Sequence, residues 1–134
     1  MSQESNEVAP YQRQTPAQWE AAIRGVEGPF GHVVTINYRD EVPQEKVDAS
    51  VGTLHDLGRE PGVLAWMIRP SLDERKGRAF LELGIFASGA AFLAWRDGDA
   101  HKAFANATSE IADWTVVDFP ASADGKLIVD NRQA

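Results

Sequence analysis

Three histidines, one glutamate set between leucines and a complete lack of cysteine frame the chemistry open to this sequence. Without thiols there are no disulfides, no thiolate zinc sites, no cysteine nucleophile and no cysteine-held iron–sulfur cluster. The histidines stand at His32, His55 and His101. No two share a metal-ligand spacing, and no carboxylate joins them in a facial-triad pattern, so no metal site is expected. His101 follows the Asp97-Gly98-Asp99 break; it is a candidate for proton transfer, with a helix-start surface histidine as the alternative. Glu82, flanked by Leu81 and Leu83, is the acidic residue most open to burial. Burial raises a carboxyl pKa and suits a general base, whereas pairing with Arg69 or Arg78 across a hairpin would make it structural. Glycine-rich phosphate loops and a serine nucleophile elbow are both absent.

The elements that must hold these residues can be read from periodicity. Thr15-Pro16 is a helix start, an N-cap hydroxyl followed by proline in the first turn, and Trp19, Ala22, Ile23 and Val26 fall on one face. Phe30 to Arg39 is a first strand whose two alternating sets, His32/Val34/Ile36/Tyr38 and Val33/Thr35/Asn37, leave both faces largely covered. Pro43 opens a helix with Val47, Val51, Leu54 and Leu57 on one stripe, closed by Gly58. Val63–Arg69 and Arg78–Phe86 are strands joined by a polar hairpin connection. Ser88 caps a helix bearing Phe92 and Trp95, and a second helical stretch runs from Ala100 to Ile111. Trp114–Phe119 is the fourth strand, and Leu127-Ile128-Val129 is a last apolar run in the tail.

Strand, helix, strand, strand, helix, strand is the split β-α-β order of an α+β, ferredoxin-like domain with one four-stranded antiparallel sheet. The 134 residues suffice for one such domain, expected at 29–121, with an N-terminal arm and accessory helix at 1–28 and a tail at 122–134. His32, Val34, Ile36, Leu64, Trp66 and Ile68 form an apolar sheet surface too large to leave in water, so a homodimer through facing sheets is expected. Tyr38 is expected at that interface too. The balance of 13 basic against 20 acidic residues, net −7 with no basic stripe, argues against nucleic acid. No apolar run approaches the roughly 20 residues that span a bilayer, and Met1 to Gln14 is too polar for a signal peptide, so no membrane association and a cytoplasmic address are expected.

Pro61-Gly62-Val63-Leu64, Phe80-Leu81-Glu82, Ser88 through Trp95 and His101-Lys102-Ala103-Phe104 together resemble the antibiotic-biosynthesis monooxygenase family over about residues 31–120. The resemblance implies a dimeric α/β barrel and, in several members, oxygenation of phenolic, polyketide-like molecules without a cofactor. It matches the reactive asparagine of the family to Asn37 and the reactive tryptophan to Trp95. On that reading Asn37 holds a substrate oxygen and Trp95 stacks on the ring. Val33, Thr35, Phe92, His101 and Glu82 complete the expected substrate contacts, and dioxygen is the co-substrate. The chain departs from the pattern at Ala91, where the oxygenases often carry an amide, and at Ala105, where haem-degrading members carry the iron ligand. Those departures weigh toward a non-oxidative ligand-binding or cyclase-like protein of the same fold, and place haem degradation third.

Overall fold

The computed structural model describes residues 13–121; the expected N-terminal arm before them and the Leu127–Val129 run lie outside the described residues. Runs of β-branched and aromatic residues form β1 (Phe30–Tyr38), β2 (Val63–Pro70), β3 (Arg78–Phe86) and β4 (Ala112–Pro120). Amphipathic segments form α1 (Pro16–Arg24), α2 (Gln44–Leu57), α3 (Gly89–Arg96) and α4 (Asp99–Thr108). The sheet runs β2-β3-β1-β4 with every pairing antiparallel, which is the ferredoxin-like α+β fold. Its second crossover helix is broken at Asp97-Gly98 into α3 and α4, so His101 enters the structure in the first turn of a new helix.

Register then decides which side chain faces which layer. In β1 the residues Phe30, His32, Val34, Ile36 and Tyr38 are buried beneath the helices, while Val33, Thr35 and Asn37 point to the other side of the sheet. Glu82 pairs with Val34 on one side and Ile68 on the other, so Glu82, Ile68 and Trp66 share the helix-covered face. The expectation that His32, Val34, Ile36, Trp66 and Ile68 would face a partner is corrected: they face the helices. Of that set only Leu64 is open, at a bulge between Val63 and Ala65. Both sets of β1 are apolar, so alternation alone could not choose between them; the apolar stripes of α2 and α3 did. Tyr38 is corrected with them. It is buried, its hydroxyl 2.8 Å from Ser50 Oγ on α2.

The core lies between this face and the helices, with Val47, Leu54 and Leu57 of α2 and Phe92, Leu93 and Trp95 of α3 against Phe30, Ile36 and Phe86. α1 begins with a reciprocal capping box between Thr15 and Gln18 and docks onto the start of α3. That docking needs glycine at position 89. Its N–H donates to Val26 O at 2.9 Å, and a Cβ there would sit 1.7 Å from the carbonyl oxygen of Ile23. Gly89→Ala is therefore expected to push α1 off α3 and to lower stability by about 1–3 kcal/mol, the range for overpacking. Gly52→Ala, in α2 with nothing within 4 Å of the added methyl, is expected to raise it slightly. Thermal unfolding of both variants reads the contrast; equal midpoints would show that α1 does not depend on this contact.

Candidate active site

Pairing of His32 with Asp118 across β1 and β4, and of Val34 with Glu82 across β1 and β3, brings one imidazole between two carboxylates on the helix side of the sheet. His32 Nδ1 is 2.6 Å from Asp118 Oδ1, and Nε2 is 3.1 Å from Glu82 Oε2. The second contact is an ion pair without good hydrogen-bond alignment, which leaves the buried Glu82 Oε2 short of an aligned donor. Burial on its own pulls the His32 pKa down. The hydrogen bond that the ring donates to Asp118, its close contact with Glu82 and the charges of both carboxylates outweigh it and raise the group to about 9. At neutral pH the ring is therefore an imidazolium. Phe92 lies against it, ring centroids 4.8 Å apart.

Beside this trio opens a cavity of about 200 Å³ between the sheet and the helices. His32, Glu82 and Asp118 form one side of it; Val34, Ile36, Phe92, Phe104, Trp114 and Val116 give it an apolar wall; His101 and Arg96 supply the remaining polar groups. His101 Nδ1 is 3.0 Å from the carbonyl oxygen of Arg96. A carbonyl only accepts, so Nδ1 carries the proton and Nε2 is left as a bare acceptor. Burial lowers the His101 pKa; the Glu82 charge opposes that shift and the His32 charge reinforces it. The ring is thus neutral at pH 7, braced on Trp95 at a centroid distance of 4.6 Å. Among the described residues Nε2 has no partner, so a neutral imidazole in an apolar cavity offers a proton acceptor there.

Arg96 sits at the edge of the same cavity, with Nη2 2.6 Å from Glu20 of α1 and Nε 3.0 Å from Asp97. Its Nη1 takes no part in either pair among the described residues.

The residues expected from the sequence divide into two groups. Glu82, Phe92 and His101 line the cavity. Trp95 stands behind it as a buried core residue whose indole N–H donates to Leu57 O at 3.0 Å, so that donor is committed to the end of α2. It packs against the His101 ring, centroids 4.6 Å apart, and is not among the residues that line the cavity. Asn37, Val33 and Thr35 lie across the sheet, because their parity in β1 is opposite to that of His32. The Asn37 amide donates to Lys76 O at 3.4 Å and does not converge with Trp95. The pairing expected for Glu82 is also corrected. Arg69 follows Ile68, the cross-strand partner of Glu82, and so points to the opposite face, while Arg78 donates to the carbonyls of Arg39 and Val42. Ala105 lines the cavity with its methyl group. Among the described residues no set of three or more acidic or histidine side chains is arranged to hold a metal ion.

Sequence reasoning undervalued His32 and missed Asp118 and Arg96. A usable signal existed, since His32 shares parity with Val34 and Ile36, and Asp118 with Trp114 and Val116. A polar residue in an apolar set marks a buried partner, but only the register says which one.

No protein-family model matches the chain, and no curated protein matches it. Solved structures do. A dimeric ferredoxin-like protein of unknown function from Thermobifida fusca aligns with TM-score 0.61 and 18% identity, over 72% of this chain and 92% of that one. Hydroxynitrile lyase from Passiflora edulis aligns with TM-score 0.63 and 18% identity, over 72% and 95%. A candidate antibiotic biosynthesis monooxygenase from Caulobacter crescentus aligns with TM-score 0.59 and 20% identity, over 72% and 92%. At these identities the likeness is one of fold.

Proposed function

We propose that this chain is a cofactor-independent acid–base enzyme in which His101 takes a proton from a small aromatic or polyketide-like molecule held in the cavity. The observation that carries this reading is a half-buried His101 beside the His32–Glu82–Asp118 trio, whose Nδ1 is engaged with Arg96 and whose Nε2 has no partner among the described residues. When Nε2 accepts a proton the ring becomes a cation. The Glu82 charge stabilises that cation, as a carboxylate does for the histidine of a hydrolase triad, against the opposing charge of His32. Arg96, which lines the cavity, would supply the positive charge that meets the oxyanion left on the substrate. The apolar wall excludes water and strengthens both effects.

Proton loss by itself leads to ring closure, isomerisation or carbon–carbon cleavage. From an anthrone or hydroquinone it leads further. The anion gives an electron to dioxygen, one oxygen atom enters the product as a carbonyl and the other leaves as water. This monooxygenase route is supported by the family resemblance over residues 31–120 and by the Caulobacter structure. One experiment separates the outcomes: metal-free protein is offered anthrones, hydroquinones and resorcinols, and both solvent-deuterium incorporation and oxygen uptake are followed. Uptake above background assigns the oxygenase, and exchange without uptake assigns the non-oxidative chemistry. Neither, with any of them, would contradict the acid–base reading.

We further infer that the working unit is a homodimer formed through the sheet face away from the helices. Val33, Met67, Leu81, Leu83, Ile85, Val117 and Phe119 share that face, with Val117 57% exposed. A patch of this character is unusual on a monomer, and the Thermobifida protein of the same fold is dimeric. Leu83 pairs with both Val33 and Met67 near the middle of the sheet. Leu83→Asp is expected to give a monomer in sedimentation velocity where the unaltered chain sediments as a dimer; a monomeric unaltered chain at micromolar concentration would contradict the inference. In the same reading residues 29–121 are the catalytic domain and residues 1–28 an accessory segment. No helix among the described residues is long and apolar enough to cross a membrane.

A further inference from the structure

We propose that the substrate carries an apolar chain, and that this chain leaves the cavity over β4 and lies in a second hollow roofed by α1; the inference rests on the acid–base reading of the cavity. β4 is an edge strand, and the helices cover its inner face incompletely: Trp114 is 40% and Val116 43% exposed, although both point to the helix side. Beyond Val116 lies a hollow bounded by Gln14, Trp19, Ala22 and Ile23 on one side and by Val116 and Asp118 on the other. Val116 and Asp118 also line the cavity, so the two spaces meet along β4.

The chemistry of this path favours an alkyl or polyketide-derived chain over a polar extension. Among the described residues Asp118 is the one charged side chain on the shared border, and its Oδ1 is already held by His32 at 2.6 Å. Trp19, Ala22, Ile23 and Val116 otherwise present apolar surface, and Trp19 is 45% exposed beside the hollow. An apolar chain laid there would cover indole and valine surface that otherwise stays in water. A molecule with an ionisable ring in the cavity and a chain over Val116 satisfies both spaces at once. It also gives α1 a reason to be clamped in place, through Arg96–Glu20 and the Gly89 contact.

A homologous series of 5-alkylresorcinols, from methyl to heptyl, tests this by calorimetric titration of the full chain. The expected result is an affinity that rises about fourfold per methylene until the hollow is filled. Trp19→Ser and Ala22→Glu, both exposed positions on α1 outside the cavity, are expected to flatten that rise while leaving the affinity of the methyl homologue unchanged. Two variants guard against one of them undocking α1, which far-ultraviolet circular dichroism and the thermal midpoint would reveal. If the methyl homologue binds but affinity does not grow with chain length, or grows equally in both variants, the second hollow is not a chain site and the inference is overturned. If the methyl homologue and all the others fail to bind, the acid–base reading of the cavity falls first, and this inference with it.

Discussion

His101→Ala is expected to lower turnover by about 10²- to 10⁴-fold, the usual contribution of a positioned general base, with little change in the affinity for substrate. The reasoning is geometric before it is electrostatic. Nδ1 keeps the proton that it donates to Arg96 O, so Nε2 is the basic nitrogen. His101→Gln keeps an amide near the carbonyl but offers no comparable base, and should be almost as impaired. The pH profile carries the sign. The histidine pKa lies below its ordinary 6.5 because of burial, so the neutral form of the base predominates at pH 6.5 and above. kcat/KM should be level at neutral and alkaline pH and fall only as acid protonates Nε2. The same shift contributes stability that is present above pH 6.5 and lost as pH falls through the lowered pKa. A rate that instead rises through pH 7 to 8 would assign the base to another group. Trp95→Phe separates support from chemistry. It removes the donor to Leu57 O and loosens the stack under His101, so it should lower turnover while leaving the pH dependence where it was.

His32→Leu is expected to be the most destabilising single change in the site, by about 3–5 kcal/mol, because it leaves two carboxylates facing each other with no cation between them. Glu82 is almost wholly buried, with a side chain only 4% exposed. Glu82→Gln should be far milder, since Asp118 still holds the ring. The pH dependence again follows from the direction of the shift. His32 is raised from 6.5 to about 9, so its contribution is complete below pH 6.5 and is lost as pH rises through 9, by roughly 3 kcal/mol in total. Urea unfolding at pH 7 and pH 10 should show that loss in the unaltered chain and not in His32→Leu. By contrast, the fully exposed Arg75–Asp73 pair should be dispensable without measurable effect.

Much of this fold could be read in advance from local signals. Thr15-Pro16, Ser88 and Asp97-Gly98-Asp99 mark helix boundaries through capping and breaking, which are properties of a few adjacent residues. The strands announced themselves by β-branched content. What could not be read was the side of the sheet. Val33 and Thr35 are as compatible with burial as Val34 and Ile36, and the choice is made by helices far away in sequence. Asn37 and Trp95 were joined by resemblance, yet the alternation of β1 sends Asn37 across the sheet from Trp95. His101, Glu82 and Phe92 were legible because each stands out within its own element. The His32–Asp118 contact spans 86 positions in sequence and depends on strand register, so no local pattern contains it.

The most direct measurement is a histidine ring nitrogen spectrum by long-range proton–nitrogen correlation, followed across pH 5 to 10. The expected result is a His101 ring that is neutral at pH 7 with its proton on Nδ1, protonating only below pH 6.5, beside a His32 ring that stays charged until about pH 9. A His101 that is cationic at pH 7, or neutral with its proton on Nε2, would leave the cavity without a base and would contradict the proposed chemistry.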